Sequence, residues 1–139
     1  MSQHAAAFAL AMCLPLAAVS AAPPPDVPDV PVIVGEQGDL DACGAWAEVH
    51  GLDPEGDGFL AVRTGPGVDH AMRDRLREAD GLFVCGGSAD GAWLSIVYPR
   101  GGQQAADCGV SGALPAPRAY RGPCGWGWAR ADWIRILAG

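Results

Sequence analysis

A chain of 139 residues, half of them apolar, has room for one modest core once a leader and linker are set aside. Its 20 Gly and 12 Pro exclude long helices over most of its length and favour short strands joined by turns. The formal charge of -7, with nine basic residues that are all Arg, excludes the basic surface that nucleic-acid binding requires.

In chain order, residues 1–21 resemble a secretory leader, with an apolar stretch over 5–19 and a small-residue cleavage site at Val19-Ser20-Ala21. That stretch is shorter than a bilayer requires and contains Pro15, so no membrane span is expected. Leu10-Ala11-Met12-Cys13 departs from a lipoprotein cleavage box at the bulky Met12. Residues 22–40 read as a Pro-rich spacer, expected to be disordered because its prolines lack the N–H that ladder pairing needs. The folded domain is expected over 41–139.

From there short apolar runs alternate with turn residues. Strands are expected at Ala45–Val49, 59–63, 82–85, Trp93–Tyr98, 127–129 and 135–137. This spacing defines an all-β domain, a small barrel or sandwich. In 82–85 the period of two sends Leu82 and Val84 to the core and Phe83 and Cys85 to the opposite face. In Trp93–Tyr98 both faces carry apolar residues, so both are expected to be covered. Residues 71–80 fit equally a short helix striped by Met72 and Leu76, or a turn followed by a strand containing Leu76. Residues 99–124, with four prolines, form an insertion too long for an unsupported loop, so its two cysteines are expected to tie it down.

Loss of the leader leaves Cys43, Cys85, Cys108 and Cys124, an even number in an exported chain, so two disulfides are expected. Three connectivities are possible. Cys108 with Cys124 closes a short local loop, and Cys43 with Cys85 ties the start of the domain to a central strand; this pairing is favoured. Zinc is the competing use of the cysteines, but no Cys-x-x-Cys pair is present and His50 and His70 lie far from them in sequence. Asp53, Glu55, Asp57 and Gly58 partly match a calcium loop, yet Thr64 stands where a bidentate Glu is needed. A hairpin turn is the simpler reading, and no metal or cofactor is expected.

Leu60-Ala61-Val62-Arg63-Thr64-Gly65-Pro66-Gly67 resembles the opening of a bacterial SH3-like (SH3b) domain, in which a Leu-x-Val-Arg strand precedes a small residue and Gly-Pro-Gly. The likeness continues through Arg75-Leu76, Leu82-Phe83-Val84, Trp93 to Val97, Gly127-Trp128-Ala129 and Trp133-Ile134. Three departures stand out: Ala79 where the family has a turn glycine, Ala129 where it has a larger β-branched residue, and the insertion at 99–124. The resemblance implies a small barrel of five to six mostly antiparallel strands that binds cell-wall peptide or another extracytoplasmic partner. By position it makes Trp93 and Trp133 groove aromatics and puts Asp69 and His70 on the loop after the first strand.

Five tryptophans exceed what so small a core buries, and an indole suits a surface with one apolar and one wet edge. Trp126 and Tyr120, at the insertion, are expected to extend the binding surface, whereas Trp46 and Trp128 are expected to cap the barrel. No nucleophile has a recognisable base beside it, so no enzymatic activity is expected. Two functions remain: a peptidoglycan-binding module in the periplasm or outside the cell, or a stand-alone inhibitor or accessory subunit of a periplasmic enzyme. A monomer is expected.

Overall fold

The computed structural model describes residues 10–18 and 27–139. Parts of the expected leader (1–9 and 19–21) and of the expected spacer (22–26) lie outside the described residues. Among the described residues no helix is long and apolar enough to cross a membrane.

The described chain is all-β and antiparallel. Its strands are β1 (Ile33–Val34), β2 (Ala45–Val49), β3 (Leu60–Arg63), β4 (Met72–Leu76), β5 (Gly81–Gly87), β6 (Trp93–Tyr98), β7 (Arg118–Ala119), β8 (Gly125–Arg130) and β9 (Ile134–Ala138). Two 3-10 turns, Ala105–Cys108 and Ala131–Trp133, interrupt the connections. Nine strands among the described residues exceed the five to six expected. The additional ones are two-residue β1 and β7, too short to carry a period, and β4, whose Arg73, Asp74 and Arg75 mask its alternation.

Seven strands form one sheet in the order β4-β3-β8-β6-β5-β2-β9, and β1 pairs with β7 in a second sheet. The large sheet keeps two edges, β4 and β9, and does not close into a barrel. All seven strands nevertheless turn residues into a single core. Leu60, Val62, Leu76, Leu82, Ile96, Tyr98, Ala47, Val49 and Ala129 form it, with Val84 and Ile134 packed against it. The sheet therefore curls around that core. In β5 the expected split holds: Leu82 and Val84 face this inner core, while Phe83 and Cys85 face the other side.

The second, outer core lies on the convex face. Val32, Val34, Cys43, Phe83, Cys85, Val97, Cys108, Val110, Tyr120 and Cys124 pack there, with Trp46 and Trp126 against them. Both disulfides, Cys43–Cys85 and Cys108–Cys124, fall in this layer with the favoured connectivity. Such bonds are consistent with an oxidising compartment. The insertion is thus a lid over the outer face and not a free loop: Tyr120 Oη donates to Cys108 O at 2.9 Å and accepts the Cys124 N–H at 3.2 Å.

The folded unit also extends N-terminally of residue 41. Val32 and Val34 are each 1% exposed. Val30 N–H donates to Thr64 O at 2.8 Å, and the Trp128 indole N–H donates to Val30 O at 2.9 Å. Proline spacing obscured this segment, but three β-branched residues in succession, Val32-Ile33-Val34, were a usable strand signal.

Candidate functional site

A cleft of about 260 Å³ opens where the β3 face meets the turns that precede β6 and β9. Its walls are built by short-range hydrogen bonding. In the β5–β6 turn, Ser88 Oγ donates to Asp90 Oδ1 at 2.6 Å and accepts the Trp93 N–H at 3.1 Å. The hydroxyl of Ser88 and then the Ala92 N–H hold the Asp90 carboxyl below the usual carboxylate range. Trp93 is thereby fixed at the start of β6, 7% exposed. Trp133 comes from the 3-10 turn between β8 and β9, where Ala131 N–H donates to Ala92 O at 3.0 Å and so joins the two turns. Trp133 O accepts the His50 N–H at 2.9 Å, and its indole stays 39% exposed.

The rim near Leu52 is set by a distant carboxylate. Glu78 accepts the N–H groups of Gly51 at 2.9 Å and Leu52 at 3.0 Å. Those bonds, the Leu52 one foremost, lower the Glu78 carboxyl below its usual range. Phe59, Ala61 and Arg63 supply the floor from β3 and the residues before it, since Leu60 and Val62 point to the inner core. Arg130 on β8 completes the wall, its guanidinium carbon 5.5 Å from the Trp93 ring centroid.

Trp93 and Trp133, separated by forty residues in sequence, line one cleft. The other expected site residues do not join them. Asp69 is exposed on the 64–70 loop, and His70 turns its ring over Gly65, so closely that an added Cβ there would clash with it. From that loop it is Val68, 76% exposed, that reaches the cleft. Tyr120 is 8% exposed and serves as the clamp inside the disulfide loop, since burial raises its hydroxyl pKa and both its hydrogen bonds are internal. Trp126 is half-buried beneath the Arg73 guanidinium, 3.7 Å from its ring centroid. Trp46 sits edge-on to Phe83 at 4.8 Å, and Trp128 is buried under the Val30 strap.

Sequence reasoning missed Phe59, Arg63 and Arg130. Arg63 was recoverable by alternation: with Val62 inward, its neighbour must lie on the outer face. Asp53, Glu55 and Asp57 form a turn in which Asp53 Oδ1 accepts the Glu55 N–H at 2.9 Å, and Asp53 and Asp57 reach the cleft rim. The chain matches no family model, no curated protein and no solved structure.

Proposed function

We propose that this chain is a non-catalytic binding module acting outside the cytoplasm, and that it recognises cell-wall peptide through the cleft between Trp93 and Trp133. The observation that carries this reading is the convergence of those two indoles, from separate turns, on one concave surface. Aromatic anchors beside a guanidinium are what binding hot spots are made of. Two further features support it. A curved antiparallel sheet around one core accords with an SH3-like domain, and the Leu60-Ala61-Val62-Arg63 strand that carries the resemblance forms the cleft floor. Two disulfides accord with export to the periplasm or beyond.

The test is retention of the oxidised protein on purified sacculi. Trp133→Ala removes an exposed side chain without opening the core, so retention is expected to fall about tenfold or more while the melting temperature stays within about 2 °C. Absence of wild-type retention at low salt overturns the wall-peptide reading and leaves a protein partner, such as a periplasmic enzyme, as the ligand to seek by crosslinking.

A further inference from the structure

Arg63 is half-buried in the cleft floor. Its Nη1 donates to His70 O at 2.9 Å and, at 3.4 Å, to Val68 O. Carbonyl dipoles orient a guanidinium but leave its charge in place. Among the described residues no carboxylate lies within 4.0 Å of Arg63, and its Nε and Nη2 have no protein partner. This occurs in a chain with 16 acidic residues against nine Arg, where a counter-ion is easily supplied. A partly desolvated cation held in place without one is poised for an anion.

The neighbouring residues fit that purpose. Ala61 lies two positions before Arg63 on the same face, and its methyl leaves the floor low. Across β4 its register partner is Arg75, which stacks 4.9 Å over the Phe59 ring and also lacks a carboxylate within 4.0 Å among the described residues. On the other side stands Arg130, whose Nη2 is held by Asp132 at 2.9 Å, leaving its remaining N–H donors free. Asp53 and Asp57 line the same cleft but pair with neither arginine.

We infer that the cleft is a carboxylate receptor: the free carboxylate of a short extended peptide seats over Ala61 between Arg63 and Arg130, with the adjoining apolar side chain against Trp93 and Trp133. The planar guanidinium fork matches a carboxylate with two parallel N–H donors, and the aromatic walls exclude water from the contact. Arg75 adds long-range attraction at the margin. This rests on the cleft being the binding site, and it specifies which end of the ligand is read.

The direct experiment follows tryptophan fluorescence of the full oxidised chain during titration with N-acetyl-tri-alanine as the free acid and as its C-terminal amide. The free acid is expected to bind about tenfold more tightly, and Arg130→Gln to remove that preference so that acid and amide bind alike. Arg63→Gln acts in the same direction, with a thermal melt to show that the 64–70 loop is intact. Equal affinity for acid and amide, or no binding of either, overturns the inference. A second arm compares native sacculi with sacculi whose carboxylates have been converted to amides by carbodiimide and ammonia. Loss of retention on amidation supports the carboxylate reading. Equal retention refutes it while wall binding stands, and no retention on either with the free acid still bound refutes wall binding while the receptor stands.

Discussion

Ala79 is the one non-glycine residue among those described whose backbone enters the left-handed region, with φ 68°. It sits in the turn from β4 to β5, held by its own N–H to Val49 O at 2.9 Å, by Asp80 N–H to Arg77 O at 3.0 Å and by Arg77 N–H to Asp80 Oδ2 at 2.7 Å. An L-residue pays about 1–2 kcal/mol for that conformation. Glycine relieves it, but also gives the unfolded chain about 0.4–1 kcal/mol of extra conformational freedom. The Ala79 side chain is exposed, so deleting its methyl sacrifices little buried surface. Ala79→Gly is therefore expected to stabilise the fold by about 0.5–1 kcal/mol. For the 113-residue segment 27–139 an unfolding entropy of about 0.24 kcal/mol/K turns this into a rise in melting temperature of about 2–4 °C. Thermal denaturation followed by circular dichroism under non-reducing conditions reads it, with Ala79→Val, expected to shift the other way, as the control. An unchanged or lowered melting temperature for the glycine variant would refute the assignment of a strained turn.

Three further outcomes follow from the packing. Tyr120→Phe strands the Cys108 carbonyl and the Cys124 N–H, so urea denaturation is expected to show a loss of about 2 kcal/mol while sacculus retention is unchanged; a binding defect at full stability would restore Tyr120 to the ligand surface. Replacing the Cys43–Cys85 pair by alanines opens a loop with separation 42 and should cost about 4 kcal/mol, whereas Cys108–Cys124, with separation 16, should cost about 3 kcal/mol. The reverse order in urea midpoints would contradict the loop-entropy argument. Burial alone would raise the Asp74 carboxyl, but hydrogen bonds from the Arg75 N–H, the Tyr98 hydroxyl and the Arg100 guanidinium hold it below its usual 3.8. A depressed carboxylate contributes stability above its unfolded value and loses it as pH falls through the folded one. Asp74→Asn should therefore destabilise at neutral pH, with the difference from wild type closing as the pH drops below 3.8; a gap independent of pH would show that the interaction is not ionic.

Much of the architecture was legible because period-two alternation is a local signal. Ala45–Val49 and Trp93–Tyr98 were readable to the residue, and the opposite facing of Leu82 and Phe83 followed from parity alone. Edge strand β4 was ambiguous because only Leu76 is buried in it, and its arginines imitate a solvated helix. The site was half legible. Trp93 and Trp133 could be named from order along the chain, but which loop side chains join them depends on rotamers that sequence does not encode. His70 folds back on Gly65, and Val68 takes the place expected for it. Tyr120 was misplaced for a related reason: an aromatic residue in a Gly- and Pro-rich segment looks exposed until the surrounding disulfide loop is seen to close over it.

All four bonded half-cystines belong to the layer outside the curled sheet, and none to the core within it. A reductant therefore acts on one side of the molecule. Thiol treatment should release the lid of β1, β7 and the insertion first, while the residues packed around Leu82 and Ile96 keep their amide-exchange protection, so redox conditions grade the protein's order in steps rather than switching it off at once.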